Sequence, residues 1–369
     1  MLDLDFYRGR RVFLTGHTGF KGAWLCKLLS SLGAEVYGFA GPPPTLPSLY
    51  QIANIEYDVH SAIGDVRDPL SLRAAFLEAR PEIVLHLAAQ PIVRRSYRKP
   101  ALTYETNVMG TVNILECVRA SKCVRSFVNV TTDKVYLNRE WEWGYRENEM
   151  LDGLDPYSNS KSCSELVTHS YKASFFTDEH GRPTVPISTA RAGNVIGGGD
   201  FAADRIIPDC VRAALGGQEI SIRYPHSVRP YQHVLEPLCA YLMIAAHQYE
   251  TPALAGWYNV GPDDADCYET GDLAELFVRA WGGGLKWVSR EENGPHEANY
   301  LKLNCDKLKK NFGWKPTWRL PQAVEETVEW TKCWRDSGDV RACMDRQIDT
   351  FFEDMGAGCP ETIRTASAV

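Results

Sequence analysis

Tyr157-Ser158-Asn159-Ser160-Lys161 sets a phenol and an ammonium four residues apart. On a helix the two lie on one face, one turn from each other. An ammonium near a phenol stabilises the phenolate and lowers its pKa. Such a tyrosine can take the proton of a hydroxyl while hydride leaves the same carbon. The spacing also arises by chance, so its surroundings matter. A second group is Thr131-Thr132-Asp133-Lys134, directly after the apolar run at 127–130. Thr132 supplies a hydroxyl that can orient an oxygen; Asp133 and Lys134 add an acid and a base. That is more than hydride transfer requires, and it suits loss of water beside a ketone. For this, Asp133 must be protonated and Lys134 neutral. Desolvation moves both groups that way, and nearby positive charge helps Lys134. A water-mediated path serves the same chemistry, and the plain alternative is a turn with solvated charges.

The third group is Thr15-Gly16-His17-Thr18-Gly19-Phe20-Lys21-Gly22, between the apolar run at 11–14 and a helical pattern at 21–32. Gly16 allows a tight turn, Gly19 admits a pyrophosphate close to backbone amides, and Gly22 lets the helix pack on the strand. The helix N-terminus then offers free N–H groups to phosphate. A glycine turn without a ligand is the bland alternative. No acid stands at the end of the second strand, where 40–45 reads Ala-Gly-Pro-Pro-Pro-Thr. The choice between NAD and NADP is therefore not written there. Asp65 is placed either to bond an adenine or to cap the helix that starts near Leu70.

Elements that would position these groups alternate between strand and helix through the first half. Strands are expected at 11–14, 35–39, 83–87, 127–130 and 185–190, with another before Gly64, and helices at 21–32, 107–121 and 158–176. This is the pattern of a doubly wound, Rossmann-type parallel sheet with crossover helices. Further on, 233–249 and 271–281 read as helices and 257–260 as a strand. The expected division is a dinucleotide-binding domain of 1–193 plus 227–262. A smaller, discontinuous substrate lobe takes 194–226 plus 263–335, and 336–369 reads as a loosely ordered tail. The default ligand cleft lies between the lobes, at the carboxyl ends of the strands.

With 369 residues, 40 Lys and Arg against 47 Asp and Glu, and a net charge of −7, the chain does not read as a nucleic-acid binder. It contains no apolar run of membrane-spanning length and no basic, apolar leader, so a cytoplasmic location is expected. Eleven scattered cysteines and nine histidines show no metal-ligand spacing, so reduced thiols and no metal are expected.

The Gly-x-x-Gly-x-x-Gly turn and the Tyr-x-x-x-Lys pair resemble the short-chain dehydrogenase/reductase superfamily. The likeness sharpens at His86-Leu87-Ala88-Ala89-Gln90-Pro91, Thr131-Thr132-Asp133-Lys134, Arg191-Ala192-Gly193-Asn194, Gly197-Gly198-Gly199-Asp200, Arg229-Pro230-Tyr231-Gln232-His233 and Pro295-His296-Glu297-Ala298. Together these resemble CDP-glucose 4,6-dehydratases, nearly from end to end. Phe201 and Tyr231 stand where that family usually has Trp, and Val135 and Leu137 where it tends to have Cys and Glu. The resemblance implies tightly bound NAD+, regenerated each cycle, a nucleotide-sugar substrate (CDP-glucose), and a homodimer or dimer of dimers through helices at 103–121 and 158–176. It implies catalytic roles for Thr132, Asp133, Lys134, Tyr157 and Lys161. For the cofactor it implies Gly16, Thr18, Gly19, Phe20, Lys21, Gly22, Asp65, Val66, Leu87, Ala88, Ala89, Asn107 and Thr131, with Tyr157 and Lys161. For the substrate it implies Gln90, Asn194, Arg205, Arg223, Arg229 and His296.

Bland readings stand beside these: surface arginines, a turn residue at Asn194, a helix-edge pair at His296 and Glu297. Rival functions on the same scaffold are a nucleotide-sugar 4-epimerase or reductase, a dehydratase for another nucleotide-glucose, and a non-catalytic NAD sensor. The first needs no Asp-Lys pair, and the last needs no intact Thr132, Tyr157 and Lys161.

Overall fold

A computed structural model describes residues 2–290 and 300–356. Its centre is a seven-stranded sheet built from β1 (Arg11–Thr15), β2 (Glu35–Ala40), β3 (His60–Ile63), β4 (Ile83–His86), β5 (Ser126–Thr132), β6 (Ile187–Ala192) and β7 (Trp257–Val260). The order is β7-β6-β5-β4-β1-β2-β3. Every pairing is parallel. The doubly wound expectation is met. The order reverses between β1 and β4, which opens the crevice where such sheets take ligands.

The alternation of side chains explains why both faces are covered. Val12, Leu14, Leu85, Val128 and Val130 join one apolar cluster with Trp24 and Leu28 of α1 (Phe20–Ser31). Phe13, Val84 and Phe127 point the other way. They pack with Phe76 of α2 (Pro69–Ala79) and Ile114 of α3 (Gly110–Ala120). A strand with apolar residues on both faces must be sandwiched between helices. A third cluster, with Ile207, Ile222, Phe277, Leu320 and Val324, forms away from the sheet.

Helix α4 (Pro156–Phe175) begins where Asp155 accepts from the N–H groups of Tyr157 and Ser158, with Pro156 in its first turn. This is a strong start signal. Beyond it come α5 (Ile206–Leu215), α6 (Leu235–Glu250), α7 (Thr270–Trp281) and α8 (Leu320–Arg335). The helix expected at 107–121 starts earlier. Pro100–Tyr104 is helical, and a π-helical turn at Glu105–Met109 leads into α3.

The tail was expected to be loose, and the structure corrects this as far as Asp354. Helix α9 (Val340–Asp354) is capped by Asp339 and buries Val340, Met344, Ile348, Phe351 and Phe352. Arg341 grips Asp58 at 2.6 Å, and Lys27 meets Asp345 at 2.5 Å. The apolar spacing at 340–352 is a helical face legible in the sequence.

Candidate active site

The phosphate turn follows from the end of β1. Gly16 sits at φ +85°, and a Cβ there would come within 2.9 Å of the Ala88 nitrogen. At Gly22 a Cβ would run into the carbonyl oxygen of Gly16. Thr15 fixes the neighbouring strand end, because its hydroxyl accepts from the N–H groups of Leu87 and Ala88 at 3.1 Å. Thr18 donates to the Gly41 carbonyl at 2.9 Å. No side chain caps the N-terminus of α1 at Gly19, so its first N–H groups are free of a side-chain acceptor. Donors, shape and partial charge there fit a pyrophosphate-bearing dinucleotide. Phe20 packs on the core beside these amides.

The groups expected to be catalytic converge at the carboxyl end of β5. Thr132 donates to Asp133 Oδ1 at 2.9 Å and accepts from the Lys134 N–H at 3.4 Å. The Thr132 side chain also counters the rise in the Tyr157 phenol pKa. Asp133 is 1% exposed, and its Oδ2 has no hydrogen-bond partner. Burial raises its carboxyl pKa, opposed by Lys134, the Thr132 hydrogen bond, Arg229 and Lys21. The shift is in the direction an acid catalyst needs. Lys134 is half-buried beside it.

Tyr157 departs from expectation. Burial pushes its phenol up to about 12, and Arg205 rather than Lys161 is the cation that pulls it back. The Lys161 ammonium instead donates to the Val130 carbonyl at 3.0 Å, and burial lowers its pKa to about 8. The Tyr-Lys pair is thus on one helix face, as the spacing implied, with the lysine tied to the strand.

Three expected contact residues spend their side chains inside the protein. The Gln90 carboxamide bonds Ile92 and Thr103. Asn107 bonds the Gln90 backbone and Ser160. Thr131 donates to Glu165 at 2.5 Å. These bonds tie the three residues into the fold beside the cleft. Asp65 chelates Arg67, at 2.6 Å for its closest contact. The helix cap considered for it belongs to Asp68, which accepts from Leu70 and Ser71. Val66 is buried, and its carbonyl accepts from Asn113. Ala89 lies in the loop after β4, and Asn194 sits past β6, its carbonyl accepting from Gln232.

Arg229 is 6% exposed and is one of the charges acting on Asp133. Arg205 pairs with Asp200 at 2.9 Å, and Arg223 lies 3.9 Å from Asp204. His296 and Glu297 lie outside the described residues.

Two features were not expected from the sequence: the reach of Lys21, a residue itself expected at the cofactor, and Arg94. Lys21 reaches beyond the phosphate turn, to within 3.5 Å of the Tyr241 hydroxyl. Burial and repulsion from Arg205 and Lys161 lower its pKa to about 7, against the pull of Asp133. Arg94, on the short helix Val93–Arg98, meets Asp204 at 3.6 Å and so joins the arginines of the cleft. The only signal for it was its place just after the β4 loop. Among the described residues no cluster of His, Cys, Asp or Glu could hold a metal. No described helix is long and apolar enough to cross a membrane.

A glycine-cradled dinucleotide turn joined to a Thr-Tyr-Lys centre and a buried acid defines an oxidoreductase-type scaffold adapted for elimination. The family described as GDP-mannose 4,6 dehydratase matches residues 13–327. The chain belongs to the nucleotide-sugar 4,6-dehydratase family. Within it, the chain is 48% identical over 358 residues to the CDP-glucose 4,6-dehydratase of Salmonella typhimurium, covering 95% of this chain and 99% of the relative. The resemblance read from the motifs is borne out.

Solved structures agree on the fold. The dTDP-glucose 4,6-dehydratase of Bacillus anthracis, in complex with NAD, superposes with a TM-score of 0.72 at 21% identity, over 89% of this chain and 99% of that one. A UDP-glucose 4-epimerase of Stenotrophomonas maltophila with bound NAD gives 0.78 at 19%, over 89% and 100%.

Proposed function

We propose that this enzyme converts CDP-D-glucose to CDP-4-keto-6-deoxy-D-glucose by oxidation at C4, elimination of water across C5 and C6, and reduction at C6. The observation that carries this is Asp133: a buried carboxyl with one oxygen unpartnered, hydrogen-bonded through the other to Thr132. An epimerase or reductase has no use for a buried acid there.

The Gly16–Gly22 turn, with Asp65, Val66 and the Leu87–Ala89 backbone, would hold NAD+, which would serve as hydride acceptor and donor. Tyr157 takes the C4 hydroxyl proton, and Thr132 holds the C4 oxygen. Lys134 removes the C5 proton, made acidic by the C4 ketone. Asp133 protonates the departing C6 hydroxyl. Lys161 holds the strand end on which Thr132 and Asp133 sit. Arg229, Arg205 and Arg223 neutralise the diphosphate, since a guanidinium grips phosphate in two places. Asn194 bonds the sugar. The substrate lobe is 194–226 plus 263–335.

The helices at 103–121 and α4 present Met109, Leu166 and Phe175, each at least half exposed, and these would be covered in a homodimer. Ten described cysteines are free, which supports a reducing, cytoplasmic setting.

Purified protein incubated with a panel of nucleotide-glucoses, with and without added NAD+, is expected to give a 4-keto-6-deoxy product from CDP-glucose. Deuterium placed at C4 should reappear at C6; solvent deuterium at C6 in its place would refute internal hydride return. Lys134→Ala should keep C4 oxidation and lose elimination. Product at near-normal rate from that variant would remove Lys134 as the base.

A further inference from the structure

The loop at 200–205 carries two carboxylates that are used in different ways. Asp200 is spent inside the loop. Its Oδ1 accepts from the Ala202 N–H at 3.1 Å and its Oδ2 from Arg205 at 2.9 Å, and its side chain is 6% exposed. Arg212 of α5 pins the same loop by donating to the Phe201 and Ala202 carbonyls. Asp204 is not spent. Its side chain is 28% exposed and stands 3.6 Å from Arg94 and 3.9 Å from Arg223. Both separations suit an ion pair and are too long for a hydrogen bond. Among the described residues its carboxylate accepts no hydrogen bond at all.

The two arginines come from different walls of the cleft. Arg94 lies on the short helix Val93–Arg98, which the loop at the carboxyl end of β4 leads into. Arg223 follows the strand Ile220–Ile222, and Ile222 belongs to the apolar cluster that forms away from the sheet. Asp204 precedes α5, whose Ile207 is in that same cluster. The Asp204–Arg94 pair therefore crosses from one wall to the other, at the strand ends where such folds take ligands. Asp204 sits at φ +62°, a left-handed conformation that Asp and Asn accept more readily than other side chains.

We propose that Asp204 is a built-in stand-in for the substrate's diphosphate. It neutralises Arg94 and Arg223 in the empty cleft, yields them to an incoming nucleoside diphosphate, and by repelling that diphosphate keeps it from being held too tightly. The proposal rests on the nucleotide-sugar reading. A guanidinium gives phosphate two parallel N–H bonds. Asp204 takes no such bond from either arginine, so phosphate displaces nothing directional when it enters. Only charge is exchanged. The carboxylate and the diphosphate then compete for the same cations and repel each other at close range. The product keeps the diphosphate, so the same repulsion acts when it leaves.

The test is calorimetric binding to the NAD+-loaded protein, with CDP as probe and UDP, dTDP and GDP in parallel. Asp204→Asn keeps the shape and suits φ +62° while removing the charge. It should bind the diphosphate about tenfold more tightly than the parent, since like charges set together are costly and these groups are only partly buried. The gain should shrink as salt rises, and it should appear as slower dissociation in stopped-flow displacement. Asp204→Gly, which suits the same φ with no side chain, should reproduce the gain. Cytidine, which has no phosphate, should bind all three proteins alike. Loss of fold cannot imitate a gain in affinity.

Unchanged or weaker diphosphate binding in both variants would overturn the proposal. So would an equal gain for cytidine, or a gain carried wholly by faster association, which is long-range steering. Arg94→Gln combined with Arg223→Gln should weaken diphosphate binding and abolish the effect of Asp204→Asn. The full gain persisting in that background would show that Asp204 does not act through these arginines, and the proposal is then wrong. A parent that binds NAD+ but none of the four diphosphates sinks the nucleotide-sugar reading, and the proposal with it. A parent that binds one of them, with no gain in the variants, sinks the proposal alone.

Discussion

Two buried polar clusters line the junction of β5 and α4, and they are built on opposite rules. Toward the far end, Glu165 accepts from Thr131, from Thr189 at 2.7 Å, and from Arg191 through two nitrogens at 3.0 Å. Arg191 also donates to the Tyr136 hydroxyl and to the Glu147 carbonyl. Charge and hydrogen-bonding capacity there are used up. At the near end, Asp133 has one hydrogen bond and one unpartnered oxygen. A saturated network fixes the fold; an unsaturated one stores reactivity. Alternation along β5 assigns the roles, since Thr131 and Thr132 point to opposite faces.

The contrast is broken most severely by Glu165→Ala. It leaves the Arg191 charge buried without its carboxylate, which costs about 3–5 kcal/mol. Denaturant unfolding at neutral pH should show that loss, and the residual folded enzyme should keep the pH profile of the parent. A loss below about 1 kcal/mol would mean that the cluster is wetter than its burial indicates. Asp133→Asn does the opposite. Turnover should drop by about 10²–10⁴ while unfolding free energy stays level or rises, because a buried, under-bonded carboxylate has been removed. Equal damage to stability would make Asp133 a structural residue.

The same contrast explains what could be read in the sequence. Backbone-built features were legible: Gly16 and Gly22 are needed because a Cβ has no room there, and apolar alternation such as Val12-Phe13-Leu14 gives the two-faced sheet. The Asp155-Pro156 start signal places the start of α4 two residues before the expected 158. Side-chain bonding across long separations was not legible. Nothing near Thr131 announces Glu165, and nothing near Lys21 announces Tyr241 or Asp133. The resemblance set Gln90, Asn107 and Thr131 beside ligand; their hydrogen bonds to Thr103, Ser160 and Glu165 are announced by no local pattern. The sign of the Tyr157 shift was missed for the same reason. The spacing gives the proximity of Lys161 on the helix, and only the fold shows that Lys161 bonds the Val130 carbonyl and that burial dominates.

Glu236 offers the mildest test of the rule, because it repeats the Asp133 pattern where no chemistry is expected. On the first turn of α6, its Oε1 accepts from the N–H groups of Thr317 and Trp318 at 2.9 and 2.6 Å, and its Oε2 has no partner. Burial raises its pKa to about 8 despite those two bonds. In an unfolded chain it titrates near about 4.3. Between these values the folded protein holds a proton that the unfolded chain has released. Stability from this group is therefore full below the lower value and declines until pH passes the upper one. Glu236→Gln keeps an acceptor for both N–H groups and has no charge to bury. Thermal unfolding followed from mildly acidic to mildly alkaline pH should show the variant gaining on the parent, by at least on the order of 1 kcal/mol at the alkaline end, with turnover unchanged. If the two curves stay parallel, the unpartnered oxygen is hydrated. Under-bonding at Asp133 would then lose its standing as a mark of function.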